Sequence, residues 1–158
     1  MKVLIVYYTK YGNTEKVAKL IADGINSTEE NVVIVNNVKD VKLKKDDSYD
    51  LILIGSPVHF GSHVGSVKKF INKLPKTQLK VKVYALFDTY MAGDSETAEE
   101  GVCHYTRMLE KMEKQISERM PELKRLNSGL SMKGPIANED LPKCREFGIE
   151  LIKELKSL

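Results

Sequence analysis

Runs of apolar and β-branched residues alternate along this chain with segments whose apolar positions recur at helical spacing. The first, third and fourth runs are almost continuously apolar, which is typical of strands in a parallel sheet with helices on both faces. The fifth run is weaker. Together they predict five strands, at residues 2–8, 31–35, 51–54, 81–87 and 123–132.

Apolar residues three and four positions apart predict helices between these strands. A first helix runs through Val17 and Ile25, and a second spans 64–74, where we expect Pro75 to end it. Two more are predicted over 97–119 and 141–155, whereas residues 36–49 show no helical pattern. Alternating strands and helices with short links predict one α/β domain over residues 1–158, a three-layer, doubly wound parallel sheet.

Composition and charge narrow the function classes. The chain has 25 basic and 22 acidic residues mixed along its length, so no basic cluster with aromatics indicates nucleic-acid binding. No apolar run approaches the roughly 20 residues of a membrane span, and the N-terminus lacks a signal-peptide pattern, so we expect a cytoplasmic protein. Cys103 and Cys144 are expected to be reduced thiols, with Cys144 in the core.

In a doubly wound sheet, ligands bind beyond the carboxyl ends of the strands, at the point where the strand order switches. The segment after strand one is rich in groups that bind anions: Thr9, Lys10, Tyr11, Gly12, Asn13 and Thr14. Backbone N–H groups converge at a helix N-terminus, and hydroxyls add donors, so this loop predicts a phosphate site. Helix capping by Asn13 or Thr14 is the simpler alternative.

Two common nucleotide motifs are missing from this first loop. Neither the P-loop pattern G-x-x-x-x-G-K-[ST] nor the dinucleotide pattern G-x-G-x-x-G follows strand one. The loop therefore favours the terminal phosphate of a mononucleotide.

Two further segments combine aromatic, small and polar residues, a composition suited to a flat, partly polar ring. The alternative for Phe60 and Tyr90 is packing onto the core. The segment after strand three contributes Ser56, Pro57, Val58, His59, Phe60 and Gly61, and the segment after strand four contributes Asp88, Thr89, Tyr90, Gly93 and Asp94.

Over its whole length the chain resembles the flavodoxin-like FMN family, since Thr9–Thr14 is similar to the hydroxyl-rich phosphate loop of that family, which ends in Gly-Asn-Thr. The resemblance implies a five-stranded sheet in the order 2-1-3-4-5 and FMN as the cofactor. The second loop departs from the usual flavodoxin pattern. Its Pro57 and Phe60-Gly61 are similar to a turn in the flavodoxin-like quinone reductases.

The resemblance also implies roles for the three segments. Thr9, Thr14 and the backbone N–H groups between them would hold the FMN phosphate, with Lys10 adding charge. Residues 56–61 would line the pyrimidine side and the N5 edge of the flavin, with Gly61 in a peptide that reorients when the semiquinone forms. Tyr90 would stack on the ring beside Asp88 and Thr89, and Gly93 and Asp94 would shape the turn beyond.

By resemblance, the chain carries single electrons between redox enzymes, as a monomer or weak homo-oligomer that works with redox-partner proteins. The alternative is an FMN-dependent NAD(P)H:quinone oxidoreductase. No acid–base or nucleophilic set is visible in the sequence, and we expect no catalytic residue and no metal. The sequence pI is about 8.7, and Lys10, His59 and His63 lie near the expected site. Coulomb's law therefore predicts a less negative semiquinone/hydroquinone potential than in acidic flavodoxins.

Overall fold

The computed structural model describes residues 1–91 and 104–158, and in the second range the side chains from residue 107 onward. Among these residues no helix is both long and apolar enough to cross a membrane. The strands are β1 (Lys2–Tyr7), β2 (Val32–Asn37), β3 (Leu51–His59), β4 (Ser62–His63), β5 (Val83–Tyr90), β6 (Lys124–Arg125) and β7 (Leu130–Lys133). The helices are α1 (Asn13–Asn26), α2 (Gly65–Thr77), α3 (His104–Arg119) and α4 (Leu141–Lys156).

The main sheet is parallel and follows the order β2-β1-β3-β5-β6, with β7 also paired to β5. This confirms the predicted doubly wound α/β fold. The difference from a plain five-stranded sheet has two sources. The short β4 pairs antiparallel with β3, and the last predicted strand is divided into β6 and β7.

Helices cover both faces of the sheet, and each face has its own apolar core. On one face α1 and α4 pack through residues such as Ile21, Ile25 and Leu151. On the other face α2 and α3 pack through residues such as Ile71 and Met112. The strand residues alternate between these two cores, which explains why β1, β3 and β5 are apolar at nearly every position. Cys144 is fully buried in the first core, as predicted, and burial raises its pKa to about 11.

The division of the last strand follows from its backbone. Asn127 (φ 64°) and Gly129 (φ 95°) both have left-handed conformations between β6 and β7. The Asn127 side chain accepts a hydrogen bond from the Gly129 N–H at 3.1 Å. A turn at these two positions interrupts the ladder, so one weak apolar run becomes two short strands.

The predicted end of α2 was wrong, because the helix continues through Pro75 to Thr77. A proline near a helix end removes a single backbone hydrogen bond, and buried Leu74 holds this turn against the core. The Thr77 hydroxyl donates a hydrogen bond to the Leu74 carbonyl at 2.7 Å, which satisfies one of the last acceptors of the helix.

Candidate functional site

A cleft of about 220 Å³ lies at the carboxyl ends of β1, β3 and β5. It opens where the strand order switches, since β2 and β3 lie on opposite sides of β1. A wider groove of about 1070 Å³, at the opposite end of the strands, contains none of the predicted site residues. The cleft is lined by Tyr8, Thr9, Lys10, Tyr11, Asn13, Thr14, Pro57, Val58, His59, Val64, Thr89, Tyr90 and Met91.

The loop between β1 and α1 ends at Gly12, which has a left-handed backbone (φ 90°) and occupies the N-cap position. No side chain caps the helix, so the alternative explanation of Asn13 or Thr14 as a cap was wrong. The Thr9 hydroxyl accepts a hydrogen bond from the Gly12 N–H at 2.9 Å, which folds the loop back. Because the first N–H groups of a helix have no intrahelical acceptor, α1 presents uncapped donors beside the cleft.

Threonine hydroxyls connect this loop to the other side of the cleft. Thr14 Oγ1 lies 2.7 Å from Thr89 Oγ1, and both side chains are buried. This contact joins the first turn of α1 to the end of β5. A hydroxyl pair of this kind leaves one hydrogen for a further acceptor.

Lysines lie beside the tyrosines that line the cleft. The Lys10 ammonium lies 5.2 Å from the centroid of the Tyr11 ring, and the Lys39 ammonium lies 5.1 Å from that of Tyr8. Glu15 is the acidic residue of the first turn of α1, and it pairs with Lys19 at 2.7 Å. The positive end of the α1 dipole adds to this field, so the cleft favours an anion.

The segment after strand three was predicted as a loop, and the structure corrects this prediction. Residues up to His59 continue β3, and Phe60 and Gly61 form a two-residue turn into β4. Both turn residues have positive φ, 50° and 68°, as a type I′ hairpin turn requires. Phe60 is 91% exposed, and its ring lies edge-on to the His59 ring at 4.4 Å. Residues 56–63 are called the β3–β4 hairpin below.

Residues 88–90 were likewise predicted as a loop and are the end of β5. Ser56 pairs with Asp88, and Pro57 pairs with Thr89, so polar residues continue the ladder beyond the apolar part of both strands. Hydropathy alone placed the strand ends too early because backbone pairing does not depend on the side chain being apolar.

Asp88 lies below the cleft and is completely buried. Its neighbours in register are Ser56 on β3 and Ser131 on β7. Neither carboxyl oxygen meets a donor at full hydrogen-bond geometry among the described residues. Burial raises the pKa of Asp88 to about 8, and the nearby Ser131 hydroxyl opposes that rise. At pH 7 this raised pKa favours the neutral form of the carboxyl group.

The structure brings most of the predicted residues to one place. From the first loop, Thr9, Lys10, Tyr11, Asn13 and Thr14 line the cleft, as do Pro57, Val58, His59, Thr89 and Tyr90 from the other segments.

Other predicted residues lie outside the lining of the cleft. Gly12 occupies the N-cap position of α1, and Ser56 and Asp88 are fully buried directly before cleft-lining Pro57 and Thr89. Phe60 and Gly61 form the tip of the hairpin. Gly93 and Asp94 lie outside the described residues.

Sequence reasoning missed three residues that line the cleft: Tyr8, Val64 and Met91. Tyr8 and Met91 directly adjoin predicted site residues, and this adjacency was the available signal. Val64 was assigned to the apolar face of α2, but it precedes that helix and donates its N–H to the Ser56 hydroxyl at 3.1 Å.

Comparison with known proteins gives relatives that are similar to part of this chain. A protein of Methanocaldococcus jannaschii, described as uncharacterised, is 38% identical over 86 residues, 54% of this chain and 53% of its own. A flavodoxin of Clostridium saccharobutylicum is 33% identical over 100 residues, 62% of each chain. The matched regions thus span between about half and two-thirds of these relatives.

Solved structures share the fold over nearly the full length. A flavodoxin from the domain Archaea superposes with a TM-score of 0.76 at 24% identity, covering 99% of both chains. Flavodoxin 1 of Bacillus cereus gives 0.73 at 24% identity, covering 97% of this chain and 98% of its own. A protein-family model described as a flavodoxin domain matches residues 4–147 of this chain. Because that match extends from within β1 into the first half of α4, the chain belongs to the flavodoxin family, whose members bind FMN.

Proposed function

We propose that this protein is a soluble carrier of single electrons that binds FMN in the cleft between α1 and the β3–β4 hairpin. The observation that supports the proposal most directly is the uncapped N-terminus of α1, which adjoins the Thr9 and Thr14 side chains at one end of the cleft. Backbone donors, hydroxyls and a helix dipole together suit the doubly charged phosphate of FMN.

The rest of the cleft fits a flavin ring. Pro57, Val58 and Val64 form an apolar wall, and Tyr90 and Met91 lie on the β5 side. Apolar and aromatic walls exclude water and contact the faces of the ring, and backbone groups of β3 and β5 are available to its polar edge. When bound, FMN supplies the redox chemistry, and the protein contributes binding, orientation and electrostatics.

The ionisable groups of the cleft favour electron transfer over proton-transfer catalysis. Among the described residues that line it there is one imidazole, His59, and no carboxylate. General acid–base catalysis needs a positioned proton donor or acceptor within hydrogen-bond reach of its substrate. Among the described residues, Lys10 lines the cleft and the Lys39 ammonium lies over cleft-lining Tyr8, and these two cations attract an anion such as the FMN phosphate.

A reductase of quinones with NAD(P)H is the second candidate, and the β3–β4 hairpin favours it. Its tip holds a nearly fully exposed aromatic ring, Phe60, beside cleft-lining His59. A flat acceptor could stack on such a ring.

Stepwise anaerobic reduction with dithionite, followed by its visible spectrum, separates the two candidates. A carrier is expected to take up FMN and accept its two electrons in two resolved one-electron steps. It should also show no appreciable NAD(P)H oxidation without an added reductase. Reduction in a single two-electron step, together with NAD(P)H turnover by the protein alone, would reject the carrier and support the second candidate.

Thr14→Val tests the phosphate end of the cleft. Loss of the hydroxyl is expected to weaken FMN binding about tenfold, the effect of one or two lost hydrogen bonds to a charged group. Riboflavin lacks the phosphate, so its affinity should stay constant in fluorescence titrations. Thr28→Val is the matched control, since Thr28 lies just beyond the other end of α1. Its hydroxyl donates a hydrogen bond to the Ile25 carbonyl at 2.8 Å. Equal loss for FMN and riboflavin would place the phosphate elsewhere.

A further inference from the structure

Helix α3 holds the β3–β4 hairpin through two side chains one helical turn apart. The Lys111 ammonium donates a hydrogen bond to the Gly61 carbonyl in the turn at 2.7 Å. Gln115 Oε1 lies 2.6 Å from His63 Nε2 in β4. Positions i and i+4 share one face of a helix, so both contacts come from the same side of α3.

Gln115 is fixed by three partners at once. Its Nε2 group donates to the Lys68 carbonyl at 3.0 Å and to Asn72 Oδ1 at 3.1 Å, both on α2. Because a carbonyl can only accept, the amide nitrogen must face α2 and Oε1 must face His63. His63 therefore carries its proton on Nε2 and donates it to Gln115.

His63 is a buried group whose surroundings keep it neutral. His63 is 5% exposed. Burial lowers the pKa of its imidazole, and the positive charges of Lys68 and Lys111 lower it further. The Gln115 hydrogen bond opposes this lowering. Because the neutral imidazole donates its Nε2 proton to Gln115, it joins β4 of the hairpin to α3.

The hairpin carries part of the cleft wall on its other strand. Pro57, Val58 and His59 line the cleft, and they precede the Phe60-Gly61 turn by one to three residues. Strands β3 and β4 are joined by a two-residue turn and paired at two positions, so a shift of β4 also shifts the end of β3. The pairs are Val58–His63 and His59–Ser62. Contacts from α3 to the turn and to β4 therefore act on the position of these residues together with the pairing of Pro57 to Thr89 on β5.

We propose that Lys111 and Gln115 are positioning residues for the flavin: they lock the β3–β4 hairpin onto α3, and the Lys111 ammonium favours the reduced, more negative cofactor. This inference rests on the proposed function, since it assumes that the cleft binds FMN. Neither residue lines the cleft, and each acts through the hairpin. Lys111 is exposed, so its ammonium stabilises negative charge in the adjacent cleft through a Coulomb attraction that water and salt partly screen.

The first test compares Lys111→Met, Lys111→Arg and Lys114→Met at about 0.15 M salt, where distant exposed charges are screened. Lys114 is exposed on the same helix, as Lys111 is, but no hydrogen bond joins it to the hairpin in the described structure. Two quantities are measured: the dissociation constant of oxidised FMN and the potential of the second electron.

Lys111→Met is expected to weaken the binding of oxidised FMN only slightly, and to weaken the binding of fully reduced FMN at least about threefold more than that of the one-electron-reduced form. That ratio corresponds to a second-electron potential roughly 30 mV more negative, at 59 mV per tenfold for one electron. Lys111→Arg keeps the charge and a donor, so it should restore most of the potential. Equal shifts in Lys111→Met and Lys114→Met would show a net-charge effect alone and overturn the role of Lys111.

The second test needs no cofactor. In the apoprotein, nitrogen NMR of the imidazole is expected to show His63 protonated at Nε2, and hydrogen exchange of residues 56–63 is expected to be slow. Gln115→Leu should speed that exchange at least tenfold while Lys114→Met leaves it unchanged. Unchanged exchange in Gln115→Leu, or an Nδ1-protonated His63 in the wild type, would show that Gln115 does not hold the β3–β4 hairpin against α3. If the wild type takes up no FMN, the proposed function fails, and these apoprotein measurements still decide whether α3 holds the hairpin.

Discussion

Asp88 places a carboxyl group where the apolar core meets the cleft. The residue is fully buried between Ser56 and Ser131 in register, and its pKa is raised to about 8 because burial disfavours the charged form. Thr89 and Tyr90, the next two residues of β5, line the cleft. A neutral acid at this position keeps the floor of the cleft free of negative charge at neutral pH.

Asp88→Asn is expected to remove a pH dependence from the stability of the apoprotein. The folded-state pKa of about 8 lies above the ordinary value of 3.8, so the folded state binds more protons between these two values. The free energy of unfolding therefore falls as pH rises through this window and stays low above about 8. Each pKa unit is worth about 1.4 kcal/mol, so the wild type should lose several kcal/mol relative to Asp88→Asn by pH 9.

Urea unfolding between pH 5 and pH 9 measures this difference. Asp23→Asn provides the control, since Asp23 is exposed on α1 and should leave the pH dependence of the wild type intact. Parallel stability curves for the wild type and Asp88→Asn would mean that the carboxyl group is solvated or paired in solution.

At the scale of elements, the β3–β4 hairpin contains a residue that its turn does not favour. Phe60 has a left-handed backbone (φ 50°) although its side chain is almost fully exposed. Left-handed backbone costs an ordinary L-residue roughly 1–2 kcal/mol, and asparagine tolerates it better. A strained aromatic with little packing to offset the strain indicates selection for something other than stability.

Phe60→Asn is therefore expected to raise the melting temperature of the apoprotein by roughly 2–4 °C, the shift that about 1 kcal/mol produces in a domain of this size. Phe60→Ala is the comparison variant, because it removes the ring and keeps a residue that does not favour this backbone conformation. Differential scanning calorimetry of both variants makes the measurement. Equal melting temperatures for the two would show that the turn is not strained.

Helices α1 and α4 approach each other closely at two glycines. A Cβ atom on Gly24 would lie 2.1 Å from the Arg145 carbonyl oxygen, and one on Gly148 would lie 2.3 Å from the Ile21 carbonyl oxygen. Both obstacles are backbone atoms, so a methyl group forces the helices apart. Since α1 also presents its N-terminus to the cleft, its position matters for the proposed FMN site.

Gly148→Ala is expected to destabilise the protein by roughly 1–3 kcal/mol or more, as overpacking of a tight core does. Gly65→Ala is the matched control, because a Cβ at the first residue of α2 meets nothing within 4 Å. Alanine also favours the helix there. Chemical unfolding of both variants gives the two free energies, and a Gly148→Ala protein as stable as Gly65→Ala would contradict the close approach.

These elements also show what sequence reasoning can and cannot predict here. The alternation of apolar runs gave the sheet and its helices because burial on both faces leaves a strong pattern in β1, β3 and β5. The β3–β4 hairpin was missed because its polar residues pair through the backbone, and Phe60-Gly61 lacks the Asn-Gly signal of a type I′ turn. The contacts of Lys111 and Gln115 depend on tertiary packing, which a local pattern does not contain.

At the scale of the whole molecule, positive charge gathers around the cleft in the described part of the chain. The net charge is +3 over the full sequence. Lys10 and Lys39 each lie over a tyrosine that lines the cleft, and Lys111 reaches the hairpin turn. These residues come from three different segments, so the field follows from the fold as a whole and not from one motif.

This field leads to a prediction for the redox potential. Adding the second electron increases the negative charge in the cleft, and nearby cations lower the free energy of that step. We expect the second-electron potential to be less negative than that of an acidic flavodoxin measured under the same conditions. The difference should shrink as salt rises from about 0.01 M to about 1 M, because the Debye length falls from roughly 30 Å to 3 Å. Spectroscopic titration of both proteins across this range makes the comparison. An equal or more negative potential at low salt would show that local contacts, such as desolvation of the ring, outweigh the charge of the molecule.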